Sequence, residues 1–201
     1  RIIPVDISDT EELHSRVFKQ LGIEPKERTP IEKLQAQVVD KLCVLCNVDQ
    51  DDAIGICEDA TFVMSRTGRI RNVIDASESH LFSPRLAEGG ISLTVDGARV
   101  LHALRKVPAP IGFNSADKSL YPGNGPAWVI IDDDAEPFVR EGRNVMHGFI
   151  LACDSWIRPD ESVLIVNSSG ELVAIGRSQA TSGEMESFTK GIAVKVREGC
   201  P

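Results

Sequence analysis

Cys43 and Cys46 stand two residues apart, the spacing used by zinc-binding thiolates and by redox pairs. Cys57 and His80 could complete a tetrad. A structural zinc site usually carries a second close pair, and this chain has none. Both thiols also close an apolar helical stripe, where Cys behaves as a small hydrophobe, so no metal is expected. Nucleophilic chemistry finds no Gly-x-Ser-x-Gly elbow, and phosphate chemistry finds no Gly-x-x-x-x-Gly-Lys loop. His14 and His102 fall in expected helices and His147 in an apolar run, places where packing is the usual role. Asp132, Asp133 and Asp134 with Glu136 could meet a hard cation, but such a run more often caps a helix start. No catalytic residue and no cofactor is assigned, and whether the chain is an enzyme stays open.

The cations say more, because they cluster beside glycine. Arg66, Arg69 and Arg71 surround one turn signal. Gly142 adjoins Arg143 and Asn144, Gly176 adjoins Arg177, and Gly191 adjoins Lys190, with Lys195 and Arg197 following. Glycine lets a backbone approach a sugar-phosphate, and a neighbouring cation neutralises it. Gly142, Arg143, Asn144, Gly176, Arg177, Lys190, Lys195 and Arg197 are therefore the expected RNA-contacting set. The whole chain carries 22 Lys and Arg against 30 Asp and Glu, a net charge of -8. That excludes nucleic-acid binding by bulk charge and demands a one-sided face. From residue 127 onward, seven basic side chains face twelve acidic ones. One Tyr and two Trp argue against an extended stacking platform for single strands.

The elements that would position these residues follow from pattern. Ser8 and Glu11 open a helix with Leu13, Val17 and Leu21 on one face, stopped by Gly22. Thr29, Pro30 and Glu32 open a second, with Ile31, Leu34, Val38, Leu42 and Leu45 as its stripe. Strands are expected over 61–65 and 70–74 around Arg66-Thr67-Gly68-Arg69, and over 91–95, followed by a short helix over 96–104. Between Pro108 and Pro126 glycine and proline accumulate, which reads as a linker. Strands then follow over 128–131, 145–153, 163–166, 172–175 and 192–197, with short helices near 138–141 and 182–188. The expected domains are 1–107, a linker over 108–126, and 127–201. No apolar run reaches the ~20 residues of a membrane helix. Five Cys is an odd count that does not suit a secreted disulfide framework, so a cytoplasmic setting is expected. The start, Arg1-Ile2-Ile3-Pro4, has no Met and no signal-peptide regions, and reads as a fragment, a processed product or a chain with an unseen start.

The run from Glu136 to Ser178, with Ile157-Arg158-Pro159 and a Val-rich hairpin, then Lys190-Gly191-Ile192-Ala193-Val194-Lys195-Val196, resembles a PUA domain. Ser65 to Val73, Leu93 to Leu101 and Thr29 to Leu34 extend the resemblance to the C-terminal, pre-PUA plus PUA, region of archaeal archaeosine tRNA-guanine transglycosylases and archaeosine synthases. Asp160-Glu161 stands where that family often has Gly-Asp, and His147 where it often has Lys. The resemblance implies an α+β fold: a small α/β pre-PUA domain followed by a mostly β PUA pseudo-barrel. It also implies an archaeal RNA-binding module, with tRNA (its acceptor end) or another structured RNA as partner, serving tRNA nucleoside modification. The catalytic barrel of those enzymes and its zinc-binding Cys cluster have no counterpart here. The alternatives are a docking subunit for a catalytic tRNA-modifying partner, or a fragment of the modifying enzyme itself.

Overall fold

In the computed structural model the described residues are 19, 20, 22, 29–85, 90–104 and 127–200. The expected helix after Ser8 and the linker from Pro108 to Pro126 lie outside them. The chain divides into two compact units, Arg1–Lys33 and Leu34–Pro201. In the first, Thr29 and Glu32 form the expected capping box. The Thr29 N–H donates to Glu32 Oε2 at 2.7 Å and the Glu32 N–H to Thr29 Oγ1 at 3.2 Å. It opens helix α1, Pro30–Cys46.

α1 buries Val38, Val39, Leu42 and Cys46, while Ile31 is exposed and Leu45 half-buried. The apolar stripe is thus narrower than its sequence pattern. A second helix, α2 (Gln50–Glu58), was not expected; it buries only Ala53 and Cys57. Four antiparallel strands follow in the order β1 (Thr61–Met64), β2 (Ile70–Ile74), β3 (His80–Pro84) and β4 (Ile91–Leu93). β3 was also unexpected. Thr94 ends β4 and caps helix α3 (Val95–Ala103), accepting from the Gly97 N–H at 3.1 Å. The same hydroxyl donates to the carbonyls of His80 and Leu81, tying α3 to β3.

The remaining residues build a six-stranded, nearly closed sheet. Its strands are β5 (Trp128–Ile131), β6 (Val145–Met146), β7 (Ile150–Cys153), β8 (Ser162–Val166), β9 (Leu172–Ser178) and β10 (Ile192–Gly199). Their order is β6-β10-β9-β8-β5-β7, antiparallel except for β5 against β8. The strand expected over 145–153 is broken: His147–Phe149 form a 3-10 turn between β6 and β7. The two edge strands are therefore consecutive in the chain, which curls the sheet into a pseudo-barrel. Short helices α4 (Glu136–Arg140) and α5 (Ser182–Ser187) pack on it. The fold is α+β, a small α/β domain and then a mostly β pseudo-barrel, as the resemblance implied.

Every residue of β5 is buried, as are Val163, Leu164, Ile165 and Val166 of β8. Alternate side chains serve two cores. Val129, Ile131, Val163 and Ile165 fill the barrel. Trp128, Ile130, Leu164 and Val166 face outward and join Leu42, Phe82, Leu93 and Leu101 in a second core. Polar contacts stitch the same seam. Ser162 Oγ donates to the Ile91 carbonyl at 2.8 Å, and His102 Nε2 meets the Gly170 carbonyl at 2.8 Å. The His102 ring also stacks on Trp128, 5.1 Å between centroids and 14° between planes.

Gly97 marks the tightest approach of α3 to the sheet. A Cβ there would lie 1.9 Å from the Leu81 carbonyl oxygen, which is backbone and cannot swing aside. Gly97→Ala is expected to cost more than about 2 kcal/mol in urea unfolding. Gly55, in α2, is the contrast, because a Cβ at that position would meet nothing within 4 Å. Gly55→Ala should stabilise by up to about 1 kcal/mol, because alanine has the higher helix propensity.

Candidate nucleic-acid interface

Gly142 closes α4 in a left-handed conformation at φ 89°. The Gly142 N–H donates to the Val139 carbonyl at 2.9 Å and the Arg143 N–H to the Phe138 carbonyl at 3.0 Å. This paired bonding terminates a helix with its orphan carbonyls satisfied. The Arg143 guanidinium then sits 5.3 Å from the Phe138 ring centroid and remains 68% exposed. Its approach to Glu141, 3.9 Å between two exposed groups, holds it only weakly. Asn144, also exposed, is committed within the protein: its Oδ1 accepts the Val196 N–H at 3.1 Å and pins the corner to β10. Arg140 anchors the other side, pairing with Glu136 at 2.7 Å and donating to the Cys200 carbonyl at 2.6 Å.

The β10 ladder gathers more of the expected set. Lys195 on β10 is opposite Arg177 on β9, so the two share a face. Lys195 is exposed, as are Lys190 and Gly191 in the turn before β10, with Gly191 at φ 95°. Arg177 is committed within the protein: its Nε lies 3.1 Å from Asp160 Oδ1 and 3.2 Å from the Asp160 carbonyl. With Arg85 it lines a cleft of about 700 Å³ along the seam, bounded also by Glu161 and Ser162. Arg197 likewise reaches across the seam to the Leu93 carbonyl at 3.5 Å. Gly176 is buried, and a Cβ there would meet Val194 Cγ1 at 2.5 Å and the Lys195 carbonyl at 3.0 Å. Its role is close strand packing, so it presents no backbone to a ligand. Arg143, Lys190, Lys195 and Arg197 are all exposed; of these Arg197 reaches back to the seam, and Gly142 and Gly191 stand beside Arg143 and Lys190.

Sequence reasoning missed the apolar part of this surface. Ile192 and Met146 are register partners on β10 and β6, and both are exposed. Phe149 and Phe188 are half-exposed, and Phe188 meets the His147 ring edge-on at 5.4 Å and 70°. The signal was available as large apolar residues set beside Lys190 and inside a barrel-closing turn, but an apolar run reads first as core. Asp132 and Asp133 cap local N–H groups, accepting from Asp134 and Ser168, and among the described residues no cluster could hold a metal.

The pseudo-barrel is a PUA domain: residues 127–200 match the PUA domain family. Residues 53–108 match the patch-forming domain C2 of tRNA-guanine transglycosylase, so the C2 match precedes the PUA domain in the chain. It is 35% identical over 142 residues to a tRNA-guanine(15) transglycosylase of Thermococcus onnurineus, covering 71% of this chain and 22% of that protein. To the enzyme of the same name from Methanocaldococcus jannaschii it is 37% identical over 133 residues, covering 66% of this chain and 18% of that one. The chain thus spans about a fifth of the length of these relatives. A hypothetical protein of Pyrococcus horikoshii shares the fold, with a TM-score of 0.58 at 20% identity, covering 83% of this chain and 90% of that one.

The thiols are poor nucleophiles in this setting. Burial pushes Cys46 and Cys153 up to about 12 and Cys57 to about 11, and raises Cys43 and Cys200. A disulfide-exchange reagent at about pH 8 should therefore label Cys153 far more slowly than a free thiol, whose ordinary value is about 8.5. Urea should release all five cysteines. Fast labelling of Cys153 in the folded protein would contradict its burial.

Proposed function

We propose that this chain is an RNA-binding module serving tRNA nucleoside modification, and that its ligand is the acceptor end of tRNA. The observation that carries the reading is that exposed cations stand next to exposed apolar side chains along β6, the turn after it and β10, in an otherwise acidic domain. Arg143, Lys190 and Lys195 supply charge for phosphates, while Met146, Phe149, Phe188 and Ile192 supply apolar area. Unpaired bases stack on such side chains, and a folded RNA end presents both bases and backbone together. The PUA and C2 matches and the activity for which the relatives are named support the same reading. Its setting is then the cytoplasm of an archaeon, where tRNA is modified; among the described residues no helix is long and apolar enough to cross a membrane.

A docking role for the first domain is the second reading. Val44 on α1 is 78% exposed and Ile54 on α2 is 45% exposed, large apolar groups on one domain that the RNA face does not use. A catalytic tRNA-modifying subunit would cover them. Co-purification of such a subunit, lost on Val44→Asp, would favour this role.

Titration of the chain with a tRNA transcript at two salt concentrations tests the first reading. Arg143→Ala, Lys190→Ala and Lys195→Ala should each weaken binding and reduce the log–log salt slope by about 0.7–0.9. Arg66→Ala with Arg69→Ala, on the β1–β2 hairpin, should leave the slope in place. The opposite pattern would move the site to the C2 hairpin, and no binding at low salt would leave docking as the role.

A further inference from the structure

His147 sits in the middle of the apolar corner, yet neither the cations nor the cores make use of it. It opens the 3-10 turn, and its own N–H donates to the Gly191 carbonyl at 3.1 Å. The side chain is 6% exposed. Phe188 packs edge-on against the ring. Gly191, at φ 95°, brings backbone over it: a Cβ there would lie 3.8 Å from His147 Cδ2. His147 Nδ1 is buried and has no hydrogen-bond partner among the described residues. A phenyl ring would fill this place without leaving a buried polar nitrogen unsatisfied.

Charged groups of both signs stand close by. Glu184 of α5 acts on the ring, and Lys190 directly precedes Gly191, whose carbonyl accepts from the His147 N–H. β6 and the 3-10 turn bring the uncharged Met146, Gly148 and Phe149. Burial holds the His147 pKa below its ordinary value, and Glu184 opposes that shift. Glu184 is kept ionised by its cap, accepting from the Thr181 N–H at 2.7 Å and hydroxyl at 2.9 Å. The imidazole is thus neutral at neutral pH.

We propose that His147 couples RNA binding at this corner to uptake of a proton, so that affinity rises as the pH falls from about 7.5 to about 5.5. The inference rests on the RNA-binding reading. A phosphodiester held by Lys190 neutralises that cation and adds negative charge beside Gly191. Both changes favour the imidazolium, and by linkage whatever raises its pKa on binding makes binding tighter at low pH. Neutral imidazole leaves the corner apolar, and protonation adds a cation where the RNA backbone lies.

The test is the affinity of the full chain for a tRNA transcript at about pH 5.5, 6.5 and 7.5 and fixed ionic strength, with folding checked by circular dichroism. The wild type should bind roughly three- to tenfold tighter at the lowest pH, a tenfold change corresponding to one unit of pKa shift. His147→Gln should lose most of that dependence, although three other histidines remain in the chain. His147→Lys should bind tightly at all three values. A flat wild-type profile, or an equal slope in His147→Gln, overturns the proposal while leaving RNA binding intact. Absence of binding at every pH sinks the RNA reading and this inference with it. Should the variants misfold, the His147 imidazole resonance decides: its pKa must rise when the wild type is saturated with tRNA, and an unchanged pKa overturns the coupling.

Discussion

The structure of residues 34–201 depends on two strands that are dry on both faces. β5 and β8 lie side by side and parallel, and neither shows an edge or a face to water. Parallel pairing of this kind is found where both sides are covered. One cover is the barrel interior, and the other is the layer of α1, α3 and the four-stranded sheet. Leu164 and Val166 alone show the consequence. They are core residues of the C2 domain as much as of the PUA domain, so the two share one stabilising term. His102 against Trp128 and Ser162 against Ile91 then fix the angle at which the layers meet.

The candidate interface inherits its rigidity from that arrangement. β8 holds β9, β9 holds β10, and β10 holds the corner through Asn144 and the short strand β6. Gly199 permits the packing of α4 on the end of β10, since a Cβ there would lie 1.8 Å from the Arg140 carbonyl oxygen. The exposed cations therefore project from ordered backbone, and binding a ligand need not organise the chain that carries them. Arg177 and Arg197, which looked equivalent to Lys190 and Lys195 in the sequence, are instead committed to the seam. Residues of like charge and similar spacing thus differ in role according to the acceptors within their reach: Asp160 for Arg177 and the Leu93 carbonyl for Arg197.

Much of this was legible beforehand. The Thr29 cap, the first hairpin, the α3 start, the β8–β9 hairpin and the closing strand all carry local signals strong enough to survive in the fold. What failed was local structure without local signal. α2 has acidic residues in its first turn, one glycine and only two buried side chains, so its periodicity is faint. β3 is two apolar residues, Leu81 and Phe82, between His80 and Ser83-Pro84. The break at His147–Phe149 hides in an apolar run because a 3-10 turn and a strand use similar residues there. The cation–glycine pattern could not tell Gly142 and Gly191, which need left-handed backbone, from Gly176, which needs a missing side chain. Both needs write the same letter.

The shared core also bears on how such a chain can be rearranged over evolutionary time. A PUA domain whose sheet has one wet face can be appended to many partners as an independent piece. Here Trp128, Ile130, Leu164 and Val166 would be laid bare by any cut that separates residue 127 onward from the preceding layer. Gene fission between the two domains is therefore damaging, whatever the composition of the segment that joins them. The heritable unit of recombination is the pair.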